Sequence, residues 1–551
     1  MLAWRAPAHP RQLSASVSWR AYVTNLREQN VRGQWARARR WAVSEFADHV
    51  SRSLGDPATE TFESRVTEQA STLIEEIDAG AFDNPTYAIG LELEVYATDT
   101  EGRLARLPPA AVEPIAPELG LHNAEINTPA TAFDAEGIAE QAAALTESLE
   151  TANSAFEAHD RRLVLDAMWT VGPPEGAEPY LTATEQRDGV TVASNMQQKP
   201  RYAALDRDIV ARHDGTIDLE LPGVELAMPS ILAESLATSI QPHLQVPSAA
   251  AFPAHYNTAI RTMAPVLSLA TNSPFLPGTL YGDVNPERLL EATHHESRIA
   301  VFERSINTGD RKVRFPRDIE QASDIVRRIE TDALRAPCLR EWVTDEPPTS
   351  TRDGFWELDY KRGTYWRWLR GLPGGQPVTP GSERSLRIEY RPLPTQPTAR
   401  ATIALQLLTV GAIRGLVAQE HPIVTLPWEP TRDSFYAVAS DGRAAELAWV
   451  DRDGERTNDR ERVIGELRAA ADVGLGAAGL APDRIETLLA PIDARIAGGP
   501  TPSEWKLEAV RAHLDAGLEL SGAIHEMQQT YLEACAEGRP ITDWAPGGPD
   551  R

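Results

Sequence analysis

At 551 residues and 42 % hydrophobic content the chain can build a large core; no stretch is expected to approach the ~20 apolar residues that span a bilayer and no apolar leader with a cleavage site is read, so neither a membrane nor export is expected. A formal net charge of −26 excludes nonspecific nucleic-acid binding, and with only four lysines (Lys199, Lys312, Lys361 and Lys506) it predicts the acidic surface of a halophilic protein. Two distant cysteines, Cys338 and Cys535, leave neither a disulfide framework nor a zinc site to build and predict reduced thiols in a cytoplasmic chain.

Residues 1–50 stand apart. They hold eight arginines (Arg5, Arg11, Arg20, Arg27, Arg32, Arg37, Arg39 and Arg40) against Glu28, Glu45 and Asp48. Trp19, Tyr22, Leu26, Val31, Trp35 and Trp41 predict an amphipathic helix there, read as a surface appendage with a docking or oligomer arm as the alternative. From Tyr87 the stretch YAIGLELEVYATD alternates apolar and acidic residues, as a strand with one polar face does. LHNAEINTPA predicts a short strand ending at Thr128-Pro129, and 135–160 a helix. RLVLDAMWTVG predicts a strand over 162–172, turning at Gly172-Pro173-Pro174. LATSIQPHLQVPS is a strand with a polar face; 253–270 is a helix with a kink expected at Pro265. A region rich in Arg, Trp and Tyr follows the NSPFLPG loop, then the strand SLRIEYRPLP and a long apolar helix over 398–419. The tail from about 455 is mostly helix, broken at 498–502.

Several of these strands carry chemistry on one face. Residues i and i+2 of a strand point the same way, so Glu92 and Glu94 stand side by side while Leu91, Leu93 and Val95 point oppositely. Adjacent carboxylates repel unless a cation separates them, and their oxygens suit hard divalent ions. Glu125 lies in AEINTP, with Glu118 seven residues earlier. His243 and Gln241 share a face in SIQPHLQV. Arg387, Glu389 and Arg391 share one in LRIEYRP, where arginine forks suit phosphate oxygens. Each segment alone is also explained by a solvated strand face or a satisfied core histidine; their repetition in one chain is what points to a site. No phosphate-binding glycine loop, nucleophile elbow or dinucleotide fingerprint is present.

In order, the segments GLELEVY, EINTP, IQPHLQVPS, YNTAIRTMAPVLSLATNSPFLPG, ESRIAVFER, LRIEYRPLPTQPT and DSFYAVASDGRAAELAWVDRDGER resemble the blocks of type 2 glutamate–cysteine ligases and their carboxylate–amine ligase relatives. The resemblance implies an α+β fold: a glutamine-synthetase-like curved antiparallel sheet with helices on one face. It divides the chain into an N-terminal helical extension (1–85), a catalytic domain (86–455) and a C-terminal helical region (456–551). It implies ATP-dependent amide formation through an acyl phosphate, from glutamate and an amine such as cysteine. Its partners would be small molecules, an amino acid and an amine, with a homo-oligomer left open. Carried over by position, Glu92, Glu94, Glu118, Glu125, His243 and Glu389 are candidate ligands for Mg²⁺ or Mn²⁺. Arg391 and Arg298 are candidate catalytic residues, Arg391 at the transferring phosphoryl group and Arg298 at a substrate carboxylate or phosphate, with Arg387 and Arg391 on the nucleotide. Arg261, Asn272 and Ser273 are candidates for the substrate.

The chain also departs from the family pattern. WTVGPPEG lacks the histidine many relatives carry there, and PLPTQPT lacks their acidic residue after Arg391. The segment DYKRGTYWRWLRG is unusually basic and aromatic, and Trp366 or Trp368 is a candidate to stack on the nucleotide base, against a charged loop over a Trp-rich core. A ligase-derived binding protein without turnover is the alternative; a guanidino-type kinase is a third reading.

Overall fold

The computed structural model describes residues 43–108, 115–309, 311–344, 353–374 and 384–544. The chain divides into two compact units, Met1–Phe46 and Ala47–Arg551. The Arg-rich amphipathic stretch expected over 1–50 falls almost wholly outside the described residues.

The second unit is α+β, built on a large antiparallel sheet. Its strands are β1 (Ala88–Thr98), β2 (Ile115–Pro117), β3 (Asn123–Asn127), β4 (Thr131–Ala132) and β5 (Arg162–Val164). Two small hairpins, β6 (Thr184–Arg187) with β7 (Val190–Ala193) and β8 (Ile217–Leu221) with β9 (Val224–Met228), lie outside it and were not foreseen in the sequence. The sheet resumes with β10 (Ile240–Val246), β11 (Leu369–Pro373) and β12 (Leu386–Tyr390). Its order is β11-β12-β10-β1-β3-β2, with β4 and β5 also pairing β1.

Alternation along these strands sorts the side chains. Leu91, Leu93 and Val95 of β1, Leu244 of β10 and Ile388 of β12 are buried on one face. Against that core lies the helix Ala399–Ala418, started by Thr398, whose hydroxyl accepts from the Ala401 N–H. Gln406 from its middle donates to the Gly90 carbonyl of β1 at 2.9 Å. By length and composition this helix is apolar enough to cross a bilayer, which corrects the expectation that no stretch approaches that length; 83 % of its most apolar stretch is buried inside the fold. It packs on the helix Arg460–Gly476 through glycines: a Cβ on Gly415 would stand 1.8 Å from the Ala470 carbonyl oxygen.

The strand expected over 162–172 ends at Val164, leaving one isolated bridge between Met168 and Ala237. The cause is Asp166, turned into the interior, where its carboxylate accepts from Lys506 at 2.5 Å and Gln528 at 2.8 Å. Those two residues lie on the helices Pro502–Asp515 and Leu520–Ala536, so the C-terminal helices are pinned to the sheet by a buried ion pair. The helix break expected near 498–502 is present, and Thr501 and Glu504 form a reciprocal cap on the helix that follows. Pro265 sits in the last turn of the helix Phe252–Leu267 rather than at its middle.

Lysine is used almost only in the interior. Lys312, Lys361 and Lys506 are buried, donating to Asp332, the Glu330 carbonyl and Asp166, while Lys199 is half-buried beside the Pro117 carbonyl. Cys338 and Cys535 are free thiols.

Candidate functional site

The strand register gathers the polar residues of the opposite face into one field. Glu92 of β1 faces Gln241 on β10 and Asn127 on β3, and Glu94 faces Glu125. His243 faces Glu389 across β10 and β12, and Glu389 faces Arg370 across β12 and β11.

Three of the six candidate metal ligands converge. One ligand atom each from Glu92, His243 and Glu389 lie within 4.8 Å of one another. His243 Nε2 is 3.2 Å from Glu92 Oε1 and 3.9 Å from Glu389 Oε1. Both ring nitrogens of His243 are buried, yet neither makes a hydrogen bond. A buried imidazole left so costs free energy unless a ligand satisfies it. Two carboxylate oxygens and that nitrogen form a donor set a divalent cation would satisfy, so the residues fit such an ion.

Beside this trio stands a fork of arginines. Arg370 grips Glu389 with two N–H groups, Nη2 to Oε1 at 2.9 Å and Nε to Oε2. Arg391 Nη1 donates to Glu389 Oε2 at 3.1 Å and to Gln241 Oε1 at 2.5 Å. Burial opposes ionisation of Glu389, but the two guanidiniums, with His243, hold its carboxyl well below the usual range. Arg387 shares this face by alternation and stands opposite Gln245 and Leu372.

Glu94, Glu118 and Glu125 adjoin the trio without joining its ligand set. The Glu94 carboxylate accepts from the Ser239 N–H at 2.6 Å, the Ser239 hydroxyl at 3.0 Å and Gln241 Nε2 at 3.3 Å. Burial, against the pull of Arg391 and Arg298, raises its pKa. Glu118 is pushed up to about 7, by burial and then by the charge of Glu94, with Lys199 opposing. Glu125 is pushed well above the carboxylate range by burial and the charges of Glu92, Glu118 and Glu94, although Asn127 donates to it at 2.5 Å. So many half-buried acids on one face are a standing electrostatic cost that cations would relieve.

A small cavity opens between Glu94, Arg298, Trp366, Trp368 and Arg391. Arg298 is buried there, its Nε donating to Glu296 at 3.1 Å, its Nη2 to the Pro392 carbonyl, and its plane near Trp368. Trp368 Nε1 donates to Glu303 at 2.8 Å, which fixes its ring.

Three expected substrate residues lie elsewhere. Arg261 belongs to the helix Phe252–Leu267 and spends its guanidinium on Asp318 and the Leu426 carbonyl. Asn272 and Ser273 are fully buried beneath the face. Asn272 donates to the Thr395 carbonyl at 2.7 Å and Tyr531 at 3.1 Å; Ser273 donates to Glu296 at 2.7 Å. Their hydrogen bonds brace Arg298 and the Thr395 turn, whose hydroxyl reaches the Glu94 carbonyl oxygen. Sequence reasoning missed Arg370, Glu296 and Lys199; for Arg370 the available signal was its place in the basic, aromatic segment that runs into β11.

The family model described as glutamate–cysteine ligase family 2 matches residues 88–535. Among solved structures, a bifunctional glutathione synthetase from Pasteurella multocida is 12 % identical with a TM-score of 0.47, the match covering 86 % of this chain and 54 % of that one, so that this chain spans about half its length. A glutamate–cysteine ligase from Francisella tularensis in complex with AMP is 12 % identical with a TM-score of 0.46, over 82 % of this chain and 90 % of that one. No curated protein matches the sequence.

Proposed function

The chain belongs to glutamate–cysteine ligase family 2, and on that premise we propose that it is an active ATP-dependent ligase that joins the γ-carboxylate of glutamate, or of a similar acid, to an amine such as cysteine. The observation that carries the reading is the Glu92–His243–Glu389 trio beside the arginine fork and next to a cavity holding Arg298 and Trp366.

In the proposed reaction a substrate carboxylate oxygen bonds to the γ-phosphorus of ATP as ADP leaves. The amine nitrogen then bonds to the acyl carbon, inorganic phosphate leaves, and the amine gives up a proton. Glu92, His243 and Glu389 are the residues that would hold Mg²⁺ or Mn²⁺, which when bound supplies Lewis-acid neutralisation of phosphate oxygens. Arg391, steadied by Gln241 and Glu389, and Arg298, steadied by Glu296, put fixed positive charge at the cavity wall, where charge builds during phosphoryl transfer. Because both are held by other side chains, little reorganisation accompanies that build-up. Trp366 and Trp368 wall the same cavity, a surface suited to stacking on a nucleotide base and to keeping water from the acyl phosphate.

The test is direct. Purified protein given ATP, Mg²⁺, glutamate and a panel of amines should release ADP, phosphate and an amide identified by mass spectrometry. Folded protein that binds Mg-ATP but makes no amide with any amine would be a ligase-derived binder instead.

A further inference from the structure

The helix Asp56–Asp78 precedes the family-matched residues 88–535, so nothing in the family match accounts for it. It is nevertheless tied to the site. Phe62, Val66, Ala70, Leu73 and Ile77 recur at three- and four-residue spacing and are all buried. The helix packs against two short helices, Asp324–Glu330 and Trp356–Arg362. Phe62 meets Tyr360 edge-on, their ring centroids 6.0 Å apart.

Two of its polar contacts fall on the segments that lead into the two strands of the arginine fork. Gln69 Nε2 donates to Glu357 at 2.6 Å, and Gln69 Oε1 accepts from the Leu358 N–H at 2.9 Å. Glu357 is almost fully buried and also accepts from Arg65 at 2.8 Å. This two-point grip holds the helix that leads through Trp366 into β11, the strand of Arg370. In the last turn of the same helix, Glu76 pairs with Arg384, two residues before β12, the strand that carries Glu389 and leads into Arg391. Between them Ile325 presses on β11 at Gly371, where an added Cβ would lie 2.4 Å from its side chain.

We propose that helix Asp56–Asp78 is a positioning element for the metal- and phosphate-binding corner, with Gln69 and Glu76 its positioning residues, one gripping the approach to β11 and the other the approach to β12. β11 is an edge strand, braced by the ladder on one side only. The angle of the Arg370 fork, and hence which Glu389 oxygen faces Glu92 and His243, depends on what holds the hairpin from outside. Groups hydrogen-bonded directly to metal ligands, as Arg370 is to Glu389, are worth ~10–100-fold in metal affinity elsewhere, and the helix acts through that group.

The inference rests on the ligase reading of the same corner. Its test uses the full chain as Gln69→Met, Glu76→Arg, Arg384→Glu and the paired reversal Glu76→Arg/Arg384→Glu. Mn²⁺ binding is read by electron paramagnetic resonance, with KM for Mg-ATP, KM for glutamate, kcat and Tm alongside. Each single variant should weaken Mn²⁺ binding ~10-fold and raise KM for Mg-ATP in step, leaving KM for glutamate unchanged, and the paired reversal should restore both. Variants that lose Tm but keep wild-type Mn²⁺ affinity make the helix a mere strap and overturn the proposal. Should Gln69→Met fail to fold, the reversal pair decides: rescue supports the proposal and a folded pair without rescue overturns it. Wild-type protein that takes up no Mn²⁺ sinks the ligase reading and this inference together; wild-type uptake with unchanged variants sinks this inference alone.

Discussion

His243 Nε2 stands 3.2 Å from Glu92 Oε1 on the neighbouring strand, and no hydrogen bond links them. An imidazole and a carboxylate held at contact distance but not bonded form an arrangement that a shared cation completes.

Glu92→Gln should therefore abolish binding of a divalent ion. It keeps the side chain's size and its neighbours but removes the charge. A loss of ~100-fold or more in Mn²⁺ affinity is expected, since even outer-shell partners of a ligand are worth ~10–100-fold. Calorimetric titration with Mn²⁺ checks it; unchanged affinity would move the ion elsewhere.

Arg370→Lys preserves charge but not the fork. Arg370 makes two parallel contacts with Glu389, and lysine offers a single point charge. Turnover should fall ~10-fold or more through misplacement of Glu389. Arg370→Met should in addition lower stability by about 3 kcal/mol, because Glu389 is 2 % exposed and would keep only Arg391 and His243. Urea denaturation of both variants separates the two effects.

Lys506→Met should cost about 3–5 kcal/mol in stability by leaving the Asp166 carboxylate buried without its cation. Lys506 and Asp166 are 1 % and 0 % exposed, so solvent cannot take over. The double variant Asp166→Asn/Lys506→Met should recover a large part of the loss. A double variant no more stable than Lys506→Met would show that packing, not the uncompensated charge, dominates.

His122 predicts acid sensitivity. Its Nε2–H donates to the Ser235 carbonyl at 2.8 Å, and in the neutral ring Nδ1 accepts from the Tyr180 hydroxyl at 2.7 Å, so the uncharged imidazole is satisfied without placing a charge in the core. Burial, partly offset by the Ser235 bond, lowers its pKa to about 4, against ~6.5 in the unfolded chain. Above pH 6.5 the ring is neutral in both states and its contribution is complete. As pH falls from 6.5 toward 4 the unfolded state binds a proton that the fold does not, and stability drops by ~1.4 kcal/mol per pH unit, about 3 kcal/mol in all. His122→Phe, compared with wild type by denaturation at pH 7.5 and 5, should flatten that slope while lowering stability at both.

The polar field was legible in sequence wherever a strand carries it. Glu92 and Glu94, His243 with Gln241, and Glu389 between its arginines follow from two-residue alternation, and the register then brings three of them together. Alternation says nothing of helices and loops whose every side is covered. Arg261, Asn272 and Ser273 lie in such places, and their direction is decided by Asp318, Thr395 and Glu296, which no local pattern names. Arg370 was hidden for another reason: β11 is short, and only its register with β12 assigns the arginine to Glu389. The truncation of β5 depends on Asp166 meeting Lys506 from 340 residues away. Of the fold, the α+β class, the main strands, the long apolar helix and the break before Pro502 were readable; the two small hairpins were not.

The internal use of lysine has a practical corollary. Three of the four ammonium groups are sealed in the core, so an amine-directed reagent applied to the native protein meets Lys199 and little else along the side chains. Lys199 lies within electrostatic reach of Glu118 on the acidic face. Its acylation rate is thus a one-position reporter on that face, rising or falling with whatever neutralises the neighbouring acids, and readable by intact-mass measurement without engineering a label.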